Sequence, residues 1–136
     1  MADQFAVNAI GPALILAHAA RLLPRDRASV FAVLSAKVGS IGDNRLGGWI
    51  SYRAAKAAVN QIVHTSAIEL YRSHPQSSVV ALHPGTVQTP FTSNYVARHE
   101  SVPAKLAAAR LVGVMDDLTP KHSGGFYDYS GALLPW

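Results

Sequence analysis

Apolar positions along the chain alternate between stretches of helical period and short unbroken runs. Phe5, Ile10, Leu14, Ala17 and Leu22 recur at near-helical spacing, which predicts a helix from Asp3 to Leu23 closed by Pro24. Pro12 lies inside that pattern and, lacking an N–H, predicts a kink or boundary. Ser29 to Leu34 (SVFAVL) is a continuous apolar run rich in β-branched and aromatic residues, the pattern of a buried parallel strand. Ser35 to Gly48, with Gly39, Gly42, Gly47 and Gly48, reads as a loop. An Ala-rich helix without Pro or Gly follows from Trp49 to Arg72. Ser78 to Leu82 (SVVAL) is a second apolar strand, stopped by His83-Pro84-Gly85. A Thr- and Pro-containing loop leads to a helix from Pro103 to Leu118, with proline at its first turn. Gly125 to Tyr129 (GFYDY) reads as a third strand before the closing Leu134-Pro135-Trp136.

Helices alternating with buried strands predict right-handed crossovers and a parallel sheet covered on both faces, an α/β fold. Three strands make a small sheet of this kind. The length, 136 residues, suits one domain, and 49% apolar residues exclude disorder. Only 15% of residues are charged, which predicts surface buried against a partner. The net charge of +4 is carried by scattered basic residues with no run or aromatic interleaving, so nucleic acid is not expected. Cysteine is absent, which excludes disulfides and thiolate metal sites. The six histidines show no HxxxH pair, and no metal is expected. Met1-Ala2-Asp3-Gln4 lacks the basic start of a secretory signal. The uncharged stretch from Gln4 to Ala20 holds Asn8, Pro12 and His18, too short and polar for a membrane span. A cytoplasmic protein without membrane attachment is the expectation.

Candidate chemistry lies in Tyr52-Arg53-Ala54-Ala55-Lys56. Residues four apart on a helix share a face, so the Lys56 ammonium is placed near the Tyr52 phenol. A neighbouring cation favours phenolate and lowers the phenol's pKa, giving a general acid/base for an alcohol or carbonyl. Such a pair alone also arises between surface neighbours. Here Ser35 ends a strand, Ser40 follows in the Gly-containing loop, and Pro84-Gly85-Thr86-Val87-Gln88-Thr89 follows the next strand. In open parallel sheets the carboxyl ends of the strands form the ligand crevice, and all these groups converge there.

In FAVNAIGP, LSAKVGSIGDNRLGGW, SYRAAKAAVNQ and HPGTVQTPF the chain resembles the short-chain dehydrogenase/reductase family. The ending GGFYDYSGALLPW is most similar to C-factor-like bacterial members. The resemblance implies NAD- or NADP-dependent carbonyl reduction or alcohol oxidation on a small-molecule substrate. Tyr52 would donate the proton, Lys56 would assist it and hold the nicotinamide ribose, and Asn8 would position a relay water. Pro84, Gly85, Val87 and Thr89 would line the nicotinamide site. Read from the residues alone, Asn8 is equally a polar group within a helix and Thr89 a turn residue before Pro90. The family's second strand-end serine aligns with Ala36 here, so the carbonyl-polarising serine is either Ser35, which is preferred, or Ser40.

The family's opening strand, TGxxxGxG turn and helix, which hold the cofactor pyrophosphate, have no counterpart in this sequence. The expectation for residues 1–136 is therefore the C-terminal, catalytic half of a doubly wound Rossmann-like domain: about three parallel strands with flanking helices, the N-terminal cofactor-binding half missing. Cofactor binding by this chain alone is then expected to be weak. A non-enzymatic C-factor-like signalling or interaction module is the alternative, and a remnant without function a third. Ala54, Ala55, Ala57 and Ala58 permit close packing, and the resemblance implies homo-oligomers through the Tyr52 helix. The same alanines would serve equally well against the chain's own sheet. The substrate is not specified, because the loop from Thr89 to about Ser101 carries no readable signature.

Overall fold

The computed structural model describes residues 1–92 and 101–136. The chain opens with α1 (Ala2–Phe5), a π-helical turn (Ala6–Ile10), α2 (Gly11–Leu16) and α3 (Ala19–Leu22). β1 (Ser29–Leu34), α4 (Ile50–Tyr71) and β2 (Ser77–His83) follow. After them come β3 (Val87–Gln88), β4 (Val102–Pro103), α5 (Ala104–Asp117) and β5 (Phe126–Asp128). Three single turns of 3₁₀ helix, Lys37–Gly39, Pro90–Thr92 and Pro120–His122, link them.

The three long-range strands form one parallel sheet in the order β1-β2-β5. Side chains alternate across it. Phe31, Val33, Val79, Ala81 and Phe126 pack on one face with Val59, Val63 and Ala67 of α4. Val30, Ala32, Val80, Leu82 and Tyr127 pack on the other with Leu111, Val114 and Met115 of α5. β2 is buried along almost its whole length because it has a strand on each side and a helix on each face. β1 is only half-buried since β2 pairs with one edge alone. β5 takes an antiparallel bridge on its outer side from Tyr127 to Leu133, and Trp136 stacks on Phe126 with ring centroids 5.5 Å apart.

The expected class and sheet are thus present, and two local features differ from expectation. The first helix is not continuous. Proline at position 12 cannot donate to the Asn8 carbonyl, and the chain widens ahead of it into a π turn in which Gly11 N–H reaches back to Ala6 O. A second break at Ala17–His18 separates α2 from α3. In addition, β3 and β4 pair in parallel, joining the segment after β2 to the start of α5. Two-residue strands carry no periodicity from which to read them.

Candidate functional site

Three consecutive left-handed residues, Gly47 (φ 65°), Gly48 (φ 73°) and Trp49 (φ 48°), turn the loop into α4. Arg53 secures this turn. Its Nε donates to the Gly47 and Gly48 carbonyls at 3.0 Å, and its Nη1 donates to Val38 O at 3.1 Å. The first turn of α4 therefore starts in a set position, and Tyr52 lies in that turn.

Lys56 lies one turn further, buried, with Nζ donating to Leu34 O at the end of β1 at 3.0 Å. The ammonium stands 5.8 Å from the Tyr52 ring centroid, within cation–π range of the ring. The Tyr52 hydroxyl makes no hydrogen bond among the described residues, which leaves its proton for an incoming group. Spacing alone suggested that Lys56 draws the phenol downward. Instead burial pushes the Tyr52 hydroxyl above 10.0 and lowers Lys56 below 10.5. The reason is geometric: the ammonium is engaged by a strand carbonyl and sits by the ring, so desolvation outweighs the pairwise attraction.

Both candidate serines are buried. Ser35 Oγ donates to Asn60 Oδ1 at 2.5 Å, whereas Ser40 Oγ accepts the Asp43 N–H at 3.0 Å. Ser40 follows Gly39, on which a Cβ would lie 2.7 Å from Lys56 Cβ and 2.8 Å from Lys56 C. Only glycine permits the loop to rest on α4 at this point, a role that spacing did not reveal. The same loop is braced from the far end of the chain, where Trp136 O accepts Gly42 N–H at 2.8 Å.

Asn8 lies in the π turn, and its Nδ2 donates to Gln4 O (3.1 Å) and Gln4 Oε1 (2.8 Å). No hydrogen bond joins it to Lys56. Pro84 and Gly85 follow the end of β2. Gly85 has φ 77°, and a Cβ there would meet the Tyr129 ring at 3.0 Å. Val87 opens β3, and Thr89 is tied to Thr92, whose hydroxyl also donates to Val87 O. Of the loop expected to line a substrate pocket, residues 93–100 lie outside the described residues. His83, not singled out from the sequence, is held neutral, with a pKa lowered to about 4 chiefly by burial and countered in part by Asp128. It pairs in register with Asp128, and its Nδ1 is buried with no hydrogen-bond partner among the described residues.

A groove of about 440 Å³ between α5 and β5 is lined by Arg110, Asp117, His122, Tyr127 and Tyr129. It contains none of the predicted site residues: Lys56 reaches the carboxyl end of β1 with Tyr52 beside it, Ser35 follows β1, Pro84 and Gly85 follow β2, and Asn8 lies apart in the π turn. Among the described residues no three His, Asp or Glu side chains are placed to hold a metal, and no helix is long and apolar enough to cross a membrane.

A family model described as short chain dehydrogenase matches residues 1–100. The chain is 38% identical over 133 residues to a 1-hydroxy-2-glutathionyl-2-methyl-3-butene dehydrogenase of Rhodococcus sp. (strain AD45), covering 98% of this chain and 57% of that protein. It is 34% identical over 137 residues to C-signal of Myxococcus xanthus, covering 100% of this chain and 78% of that protein. Its structure is similar to an NADPH-bound carbonyl reductase from chicken fatty liver, with a TM-score of 0.76 and 28% identity. That match covers 97% of this chain and 55% of the reductase. The chain thus spans little more than half the length of two of these proteins.

Proposed function

The chain belongs to the short-chain dehydrogenase family, and on that premise we propose that it forms the catalytic half of an NAD(P)-dependent oxidoreductase for small carbonyl or alcohol substrates. The observation that carries this reading is Tyr52 and Lys56 on one face of α4, at the carboxyl end of β1, with the phenol hydroxyl making no hydrogen bond among the described residues. In the reductive direction a reduced nicotinamide, when bound, supplies the hydride to the carbonyl carbon. Tyr52 passes its hydroxyl proton to the carbonyl oxygen, and the O–H bond breaks as the alcohol forms. Lys56 compensates the resulting phenolate charge. A serine hydroxyl, Ser35 or Ser40, polarises the carbonyl, and Asn8, whose amide is held on Gln4 and not on Lys56, is assigned to the proton relay to Tyr52 on the family resemblance alone.

The residues present fit the nicotinamide end of the cofactor. Lys56 engages Leu34 O with one of its three N–H donors, leaving two for ribose hydroxyls. The Gly85 turn, with Val87 and Thr89 beyond it, opens at the end of the central strand, where such ligands bind. The sequence carries no TGxxxGxG turn for the pyrophosphate end, and its binding is assigned to the portion of the relatives that the chain does not span. Self-association through α4 is part of the proposal: Ala55 is used by the chain's own core, while Ile50, Ile68 and Tyr71 stay exposed. Among the described residues no side-chain arrangement specifically favours the signalling alternative.

Titration with NADPH and NADH, followed by Trp49 and Trp136 fluorescence, tests the cofactor assignment. Weak saturable binding that Lys56→Met abolishes is expected. Equal binding by Lys56→Met contradicts the role of Lys56. Micromolar affinity of this chain alone contradicts the assignment of the pyrophosphate elsewhere.

A further inference from the structure

Lys56 is not alone in tying β1 to α4. Leu34 O accepts from Lys56 Nζ at 3.0 Å, and the next residue, Ser35, donates its hydroxyl to Asn60 Oδ1 at 2.5 Å. Lys56 and Asn60 are four apart on the helix and so share a face. Two consecutive residues at the strand end are held by two consecutive helical turns. The amide oxygen of Asn60 is the acceptor for Ser35, and Asn60 Nδ2 is buried with no hydrogen-bond partner among the described residues. Ser35 N–H also donates to Leu82 O at 2.8 Å, so this residue joins β1, β2 and α4.

Asn60 is 3% exposed on a helix face where, apart from Lys56, its buried neighbours Ala55, Val59 and Val63 are apolar. An amide buried among such residues costs more than an aliphatic side chain unless its geometry is used. The two serines also differ in what their hydroxyls can still do. The Ser35 proton is committed to Asn60. Ser40 accepts from Asp43 N–H and keeps its proton to donate.

We infer that Asn60 is a positioning residue: it holds Ser35 as a structural hydroxyl and keeps Leu34 O, and through it the Lys56 ammonium, in place beside Tyr52, so that Ser40 is the hydroxyl that meets the substrate oxygen. This rests on the oxidoreductase reading for the role of Ser40, while the Asn60–Ser35–Lys56 coupling stands independently of it.

Two measurements separate these parts. In the ¹⁵N-labelled chain the Lys56 ζ-amine protons, held on Leu34 O, are expected to give a slowly exchanging cross-peak. Ser35→Ala and Asn60→Ala should lose it, Ser40→Ala should keep it, and Asn60→Asp, which retains an acceptor for Ser35, should restore it. Survival of the peak in both Ser35→Ala and Asn60→Ala overturns the positioning role. With the cofactor-binding half of the domain supplied, Ser40→Ala should lower kcat by about 100-fold or more. Ser35→Ala should lower it by less than about tenfold, because a positioning group acts only through its neighbours. The reverse order overturns the choice of Ser40. Absence of carbonyl reduction in the wild-type domain overturns the oxidoreductase reading and the role of Ser40 with it, and the amine cross-peak still decides the role of Asn60.

Discussion

The Lys56 ammonium rests on the Leu34 carbonyl at 3.0 Å, not on the Tyr52 hydroxyl. The lysine therefore acts first as a link between α4 and the end of β1, and from that position it stands beside the phenol. The hydrogen bond to a carbonyl offsets part of the cost of burying the cation, and the balance of two such terms is small. Lys56→Met keeps the stem and drops the charge. It is expected to change stability by no more than about 1 kcal/mol in urea unfolding, because replacing a buried charged group with an apolar one of similar volume is close to neutral. A loss above roughly 3 kcal/mol would show that the link dominates the fold.

His83 makes stability depend on pH. Its folded pKa is about 4 against 6.5 for the free side chain, so as pH falls the unfolded chain takes up the proton first. Stability contributed by the neutral imidazole is present above pH 6.5 and is lost as pH falls to about 4. The full loss is about 3 kcal/mol, from 1.36 kcal/mol per pH unit over that interval. His83→Gln should flatten this part of the profile in denaturant unfolding between pH 4 and 7. An unchanged slope would assign the loss to other groups.

Two glycines of the same loop should respond differently to alanine. At Gly39 the new methyl meets Lys56 C at 2.8 Å and Lys56 O at 2.9 Å, backbone atoms that cannot rotate away. Gly39→Ala should cost roughly 1–3 kcal/mol, as overpacking does, and weaken cofactor binding by displacing the loop that carries Ser40. At Gly47 nothing lies within 4 Å, and only the φ of 65° resists. Gly47→Ala should cost about 1–2 kcal/mol of stability and leave cofactor affinity unchanged. Chemical denaturation and a fluorescence titration of both variants check the pair.

The strands were readable from the sequence because each is an unbroken apolar run, and β2, buried on both faces, is the plainest. The co-location of Tyr52, Lys56 and the strand ends was readable too, since helical spacing and parallel topology dictate it. The orientation of Lys56 was not, because the competing acceptor, Leu34 O, belongs to a strand 22 residues away in sequence. Asn60 was passed over for the same reason. Its one sequence signal is position: polar, four after Lys56 and eight after Tyr52, in an alanine- and valine-rich helix. The π turn was half-visible, since Pro12 announced a disturbance but not its form.

The most direct test of the account is oxidation of NADPH or NADH in the presence of an aldehyde or ketone, by the chain with the cofactor-binding half of the domain supplied, comparing wild type with Tyr52→Phe. The Tyr52 hydroxyl makes no hydrogen bond among the described residues, so the variant should keep its stability. Its turnover should fall by about 100-fold or more, the usual scale of a lost general acid. Turnover that survives Tyr52→Phe unchanged would contradict the assignment of Tyr52 as proton donor.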